Sequence, residues 1–333
     1  MTANTVRVDH VPESLCRFAE TVRAQVARTV VGQETVVERI LIALLTGGHL
    51  LLEGVPGIAK TLLVQAIARA IDLKFARVQF TIDLLPSDIL GSEILDQRTS
   101  EFRIHRGPIF TNLLLADEIN RASPKVQSAL LEAMQERRVS IGQTTHDLPA
   151  PFLVIATQNP VEQSGTFELP EAQLDRFMMR HRLSYPSPEH EAEIVRRHLA
   201  LKLKRQGDGA VPMTAFDAID DTSRLHVRDL TEAMSAVQRV HVSEVFIRDC
   251  VELVNLTRNH TDIELGSSPR AALALVQTSR ARAFIHGRDY VIPEDFFALA
   301  ADILLHRMRL TYEALASGRR STDLLEELLR TLT

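Results

Sequence analysis

Hydrophobic patterning divides the chain into two regimes. As far as about Leu183, short apolar runs alternate with stretches of helical period; beyond Pro186 the period is helical throughout. Leu15, Phe18, Ala19, Val22 and Val26 recur on one helix face. Glu34 to Leu45 predicts a second helix, stopped by Gly47-Gly48. His49 to Glu53 reads as a short buried strand that runs into Gly54-Val55-Pro56-Gly57, and Lys60 opens a helix to about Ala70. Phe75 to Phe80, Leu113 to Ala116 and Phe152 to Thr157 read as further buried strands. Val126, Ala129, Leu130, Ala133 and Met134 mark another helix, with Ser123 placed to cap it and Pro124 in its first position. Buried strands alternating with helices require crossover connections, and so a parallel sheet.

Two segments break the alternation. Thr81 to Gly107 holds Pro86, Gly91 and a β-like run from Glu101 to His105. Arg138 to Pro149 pairs a strand with a return strand about a turn at Gly142-Gln143. Local pattern supports projecting hairpins and ordinary surface loops equally. Pro186-Ser187-Pro188 predicts a domain boundary, with Ser187 capping the next helix. Gly207 to Pro212 reads as a loop. Helices are expected at Asp229 to Val240, Ser243 to His260, Pro269 to Phe284, Pro293 to Leu310 and Asp323 to Leu332. The expected organisation is an N-terminal helix over residues 1–30, an α/β unit over 31–185 and a smaller all-helical unit over 186–333.

The length of 333 residues suits two domains, and 45% hydrophobic with 24% charged residues is a globular balance. A formal net charge of −5, with 5% aromatics and no tryptophan, argues against nucleic-acid binding, which needs local positive charge and stacking faces. Cys16 and Cys250 are too far apart in sequence for a disulfide framework and read as buried thiols. Met1 to His10 is polar, without an apolar leader core, and no apolar run is long enough to span a bilayer. A cytoplasmic location is the simplest expectation. His190, His198, His241 and His260 have no metal-ligand spacing and read as surface or lightly buried residues. No Ser-His-Asp or Cys-His constellation stands out.

The strongest chemical signal is Gly54-Val55-Pro56-Gly57-Ile58-Ala59-Lys60-Thr61. It matches the phosphate-binding loop, except that Ala59 stands where the strict pattern has its second glycine. Such a loop aims consecutive backbone N–H groups at phosphate oxygens, at a helix start whose dipole favours anions. Lys60 would face the β and γ phosphates, and the Thr61 hydroxyl would ligate Mg²⁺. Downstream, Leu113-Leu114-Leu115-Ala116 ends in Asp117-Glu118. In phosphoryl-transfer sites the first acid of such a strand holds Mg²⁺ and the second orients and deprotonates water.

Together these stretches resemble an AAA+ ATPase, and specifically the MoxR family. The resemblance rests on Gly54 to Thr61, on Asn112 to Arg121, and on Ser128 to Glu136. It continues through Ile155 to Pro160, Leu169 to Phe177 and Ser268-Pro269-Arg270-Ala271, all in the family's order. Ala59 in place of glycine fits that family.

The resemblance implies an αβα nucleotide-binding core with a parallel sheet, followed by a helical lid, and it implies site roles. Asn159 resembles the first sensor, which hydrogen-bonds the attacking water or the γ-phosphate. Arg176 resembles the arginine finger that reaches a neighbour's nucleotide, with Arg180 and Arg182 as nearby rivals. Arg270 resembles the second sensor, which would touch the γ-phosphate and couple nucleotide state to lid angle. Val31-Gly32-Gln33 resembles the segment packed on adenine, and Leu62 follows the phosphate loop on its helix. The two irregular segments resemble inserted hairpins that touch substrate or partner. The implied protein binds and hydrolyses ATP with Mg²⁺ and forms a ring, expected to be a hexamer. It would remodel or activate a protein partner, expected to carry a von Willebrand factor A domain, with a role in metal-cofactor insertion in some members. The alternatives on the same fold are a chelatase-type ATPase subunit and a nucleotide-dependent binding scaffold.

Overall fold

A computed structural model describes residues 13–55, 57–98, 100–159, 165–217 and 225–332, with side chains from Arg17 onward. Two helices come first, α1 (Glu13–Ala27) and α2 (Glu34–Thr46), and α2 ends on Gly47 in the left-handed region at φ 66°. Then follow β1 (Leu50–Glu53), α3 (Lys60–Ala70) and β2 (Phe75–Gln79). A short α4 (Pro86–Leu90) leads to the hairpin β3 (Gly91–Asp96) and β4 (Glu101–Arg106). Next come β5 (Leu113–Asp117), α5 (Pro124–Glu136), the hairpin β6 (Arg138–Ile141) and β7 (Thr144–Asp147), β8 (Leu153–Gln158), α6 (Glu171–Leu174) and β9 (Met179–Arg182).

β2, β5, β8, β1 and β9 form one parallel sheet in that spatial order. The apolar runs of β5, β8 and β1 are buried on both faces, as strands covered by crossover helices must be. β2 departs from the expected buried strand. It is an edge strand with Val78 as its one buried residue, because Arg77 and Gln79 alternate with it. β9 escaped the sequence pattern altogether. Its Met-Arg-His-Arg has a single buried residue, Met179, and its charges suit the other sheet edge.

Both irregular segments are hairpins. β3–β4 projects with Leu95 and Phe102 exposed, and β6–β7 turns on Gly142 at φ 59°. Ser123 stands at the cap position of α5, but its hydroxyl makes no capping bond. Its carbonyl accepts from the N–H groups of Val126 and Gln127 instead.

Beyond Pro186 the chain forms α7 (Pro188–Leu199), capped by the Ser187 hydroxyl as expected. The predicted loop at Gly207 to Pro212 is half of a β-hairpin, β10 (Leu203–Gln206) and β11 (Gly209–Pro212). Then come α8 (Val227–Val237), α9 (Glu244–Asn259), β12 (Ile263–Leu265), α10 (Pro269–Ile285), α11 (Pro293–Leu304), β13 (Arg309–Leu310), α12 (Tyr312–Ala316) and α13 (Ser321–Arg330). The helix expected to reach Leu310 stops at Leu304, where a 3-10 turn over Leu305–Arg307 sends the His306 and Arg307 side chains into the interior.

From α8 onward these helices share one hydrophobic core with α1 and α2. Phe18, Val22, Ile40 and Leu44 pack in the same cluster as Leu230, Leu275, Phe284 and Leu299. Each such side chain contributes about 1.5–3 kcal/mol by burial. Ion pairs reinforce the seam. Arg39 on α2, only 7% exposed, meets Asp302 on α11 at 2.6 Å and donates to Ala298 O at 2.9 Å. His181 on β9 meets the other Asp302 oxygen at 2.9 Å. The helices α10 and α11 are therefore seated firmly on the α2 and β9 side of the sheet.

Candidate nucleotide site and arginine cleft

A parallel sheet gathers the C-terminal ends of its strands at one edge, where ligands of such folds bind. β1 leads there into Gly54. A side chain at Gly54 would come within 2.8 Å of Ile58 Cδ1 and 3.0 Å of Leu183 Cβ, so any larger residue would have to displace these side chains. Gly57 has φ 89°. Ala59, the departure from the strict pattern, is also left-handed, at φ 56° and ψ 28°, immediately before α3. An L-residue carries a strain of about 1 kcal/mol there. Pro56 lies outside the described residues. Val55 and Thr61 are half-buried, and Thr61 sits in the first turn of α3. Lys60 Nζ donates to Gly54 O at 2.8 Å. Burial lowers its pKa below the ordinary lysine value, against the opposing pull of the Asp117 and Glu118 carboxylates. The lysine, the loop and both acids thus share one electrostatic field.

Asp117 ends β5, and Glu118 turns away from it at φ 57°. Thr157 on β8 donates its hydroxyl to Asp117 Oδ1 at 2.6 Å and accepts from Glu118 N at 2.8 Å. Arg77 on β2 donates to Asp117 Oδ2 through Nε at 3.1 Å and Nη2 at 2.7 Å. Gln79 donates to Glu118 Oε2 at 2.7 Å, and Arg121 Nε lies 3.0 Å from the same oxygen. Asn159 is buried and directly follows β8, which lies between β5 and β1. Arg77, Gln79 and Thr157 went unnoticed in the sequence. Their signal was there: two polar residues flank Val78 at a strand end, in register with Asp117.

The donor set suits Mg²⁺. Thr61 and Asp117 offer hard oxygens, and Mg²⁺ characteristically takes one or two protein oxygens with water and substrate phosphates. Among the described residues no group of three or more His, Cys, Asp or Glu could cage a metal ion by itself.

Beside the loop lies a cavity of about 520 Å³, within the range of small-ligand sites. Val30, Val31, Ile58 and Leu62 form one wall, and Ile194 and Val195 of α7 form the other. Gly32 is left-handed at φ 69°, and a Cβ there would fall 2.4 Å from His190 Nδ1, so α7 packs directly on this glycine. Arg197 Nη1 ties α7 to the segment before α2, donating to Ala27 O at 2.7 Å and Arg28 O at 3.1 Å. His198 lines the cavity, so it has a wall role that its sequence context did not suggest.

A second cleft, of about 270 Å³, is lined by Gly48, His49, Arg137, Arg176, Arg270 and Arg307 among others. It lies at the opposite edge of the sheet. Gly48 and His49 precede β1, whereas the phosphate loop follows it, and four strand residues span about 13 Å. Arg176 precedes β9, whose Met179 pairs with Leu50 at the start of β1. Arg270 shares this cleft, so it does not adjoin its own phosphate loop as expected for a sensor of its own γ-phosphate. The cause is local. The Ser268 hydroxyl, capping α10, donates to the Asp175 carboxylate at 3.0 Å. Arg307 meets that carboxylate at 2.7 Å and donates to Phe177 O at 2.7 Å and Met178 O at 3.2 Å. Asp175 therefore joins the segment of Arg176 to the helix of Arg270. Arg180 and Arg182 both turn to Glu53 at the other end of β1.

His49 forms part of the cleft floor. Its Nε2 donates to Met134 O and its Nδ1 accepts from Val154 N, both at 3.0 Å, and burial lowers its pKa to about 4. It is neutral near pH 7 and adds no charge to the cleft. Cys250 is buried, and burial pushes its thiol up to about 12, so it is inert. The side chain of Cys16 lies outside the described residues. Among the described residues no helix is long and apolar enough to cross a membrane.

Residues 49–179 match the profile of the ATPase family associated with various cellular activities (AAA), and residues 255–328 match the AAA lid domain. Chaperone MoxR1 of Mycobacterium tuberculosis is 44% identical over 311 residues, covering 92% of this chain and 80% of that protein. Protein MoxR of Methylorubrum extorquens is 30% identical over 85% of each chain. A crystal structure of a candidate ATPase from Cytophaga hutchinsonii superposes with a TM-score of 0.83 at 43% identity, over 96% of each chain.

Proposed function

The chain belongs to the MoxR family of AAA+ ATPases, and from that membership we propose that it hydrolyses ATP as a ring in which each site is completed by the arginine cleft of the adjacent copy. The observation that carries this is the division of the site across β1. The phosphate loop, Asp117, Glu118 and Asn159 stand at one edge of the sheet, and Arg176 and Arg270 stand at the other. One copy alone holds a binding site without its arginines.

In this reading the Gly54–Thr61 loop cradles the phosphates, and Val31, Gly32, Ile58, Leu62, Ile194 and Val195 enclose adenine. Lys60 leaves the Gly54 carbonyl for the β and γ phosphates. Thr61 and Asp117 would hold Mg²⁺, which would neutralise phosphate charge when bound. Glu118 takes the proton of the attacking water and Asn159 orients that water. Arg176 and Arg270 of the adjacent copy offset the charge that develops on the γ-phosphoryl oxygens. Residues 31–185 serve as the nucleotide core and 186–333 as the lid. Because α10 and α11 are clamped to α2 and β9, nucleotide state would act on the contact between copies more than on lid angle within one copy. Six copies per ring, and a chaperone-like action on a protein partner carrying a von Willebrand factor A domain, complete the proposal, with metal-cofactor insertion as the process served.

The test separates binding from turnover. Lys60→Ala should lose nucleotide affinity in calorimetry. Glu118→Gln should bind Mg-ATP like the parent and turn over about 10²–10⁴-fold more slowly, the usual contribution of a general base. Parental binding and turnover in both variants would overturn the assignment.

A further inference from the structure

The second cleft holds more positive charge than an arginine finger and a sensor require. Of its four arginines, Arg307 is neutralised by Asp175 at 2.7 Å. Arg137, Arg176 and Arg270 have no carboxylate partner among the described residues. Guanidiniums stay charged at any physiological pH and form their strongest pairs with carboxylates and phosphates. Three of them line one cleft of about 270 Å³ without a carboxylate partner, a setting that suits a polyanion.

Arg137 is the residue that neither the sequence motifs nor the family resemblance singled out. It terminates α5 at φ 54° and ψ 25°, in the left-handed region. Helices that end this way normally use Gly, or sometimes Asn, at that position. An arginine there carries a local cost of about 1–2 kcal/mol. Its backbone is fully engaged: its N–H donates to Ala133 O, and its carbonyl accepts from Leu148 N, both at 2.9 Å. Its guanidinium makes one modest contact, from Nη2 to Gly47 O at 3.2 Å. The side chain is thus held at the cleft by a strained backbone, with most of its five donors uncommitted. Strained residues of this kind cluster at functional sites.

We propose that Arg137 is a third phosphate contact acting across the interface, placed with Arg176 and Arg270 on the terminal phosphates of the nucleotide held by a second copy of this chain. The proposal rests on the interface reading above and extends it to a residue outside the family motifs. Arg137 moves no proton and forms no bond. It donates hydrogen bonds to γ-phosphoryl oxygens and stabilises the charge they carry as water attacks and ADP departs.

Arg137→Asn is the informative variant, because Asn tolerates the left-handed turn and removes the cation. It should keep the parental nucleotide Kd and melt no lower than the parent, while turnover falls about a hundredfold, as for loss of one transition-state donor. Mixing decides whether the residue acts across the interface. Arg137→Asn mixed with Glu118→Gln should regain activity, because some interfaces then pair an intact cleft with an intact acid. Arg137→Asn mixed with Arg176→Ala should regain none, because every cleft then lacks one arginine. Arg176→Ala mixed with Glu118→Gln tests the underlying reading. If that control regains activity but Arg137→Asn with Glu118→Gln does not, the role of Arg137 is refuted and the interface reading stands. Full turnover by Arg137→Asn alone, or recovery in the double-arginine mixture, would refute it equally. If the control fails in rings shown to be mixed, the interface reading falls and takes this proposal with it.

Discussion

Acidification from pH 6.5 to pH 4 should remove about 3 kcal/mol of stability through His49 alone. The ring is buried, and both nitrogens are committed in one tautomer, Nε2 to Met134 O and Nδ1 from Val154 N. A second proton would face the Val154 N–H donor. Burial accordingly lowers the pKa from 6.5 to about 4. At about 1.4 kcal/mol for each pKa unit, that displacement is worth about 3 kcal/mol. The sign follows from proton binding. The unfolded chain takes up its proton near pH 6.5, the folded chain only near pH 4, so stability is complete above 6.5 and drains away below it. About 2 kcal/mol should be gone by pH 5. His306, also buried with a lowered pKa, pulls the same way, so the parent must be compared with His49→Gln. Urea unfolding followed by circular dichroism at pH 7.5 and pH 5.0 suits a chain without tryptophan. His49→Gln should be less stable than the parent at pH 7.5, and the difference should shrink by about 2 kcal/mol at pH 5.0. A difference that stays the same at both pH values would refute the assignment of a buried neutral ring.

Asp175→Asn should destabilise the fold by about 3 kcal/mol, because it leaves the buried Arg307 without its carboxylate. It should also slow turnover while nucleotide affinity in calorimetry stays parental, since Arg176 and Arg270 lose their common anchor; unchanged turnover would separate Asp175 from the arginines. Ala59→Gly should raise the unfolding free energy by up to about 1 kcal/mol, through relief of the left-handed strain before α3. A loss of stability in that variant would show that the alanine methyl contributes packing that outweighs its strain.

The sequence was most legible where one residue type has one physical use. Apolar runs revealed β1, β5 and β8 because strands covered on both faces leave no choice of composition. Gly54, Lys60 and Asp117-Glu118 stood out as a candidate phosphate site for a similar reason, and the structure sets Lys60 in the field of both acids. β9 stayed hidden because an edge strand with two arginines and a histidine has no apolar run to find. β10–β11 stayed hidden because its residues are largely exposed and carry no pattern. The greatest shortfall concerned location. Arg270 is recognisable as a residue type in a motif, but its place beside Arg176 depends on Ser268 and Arg307 converging on Asp175 across long stretches of chain. Arg77, Gln79 and Thr157 are likewise ordinary polar residues until strand register sets them beside the two acids.

The proposed division of the active site between copies is tested most directly by specific ATPase activity as a function of subunit concentration, with the assembly state measured in the same samples by sedimentation. Activity per subunit should rise steeply as the monomer gives way to the ring, by a factor on the order of 10³ or more if the finger contributes its usual share, while nucleotide binding per subunit stays constant. A strictly monomeric preparation that hydrolyses ATP at the full rate would contradict the account.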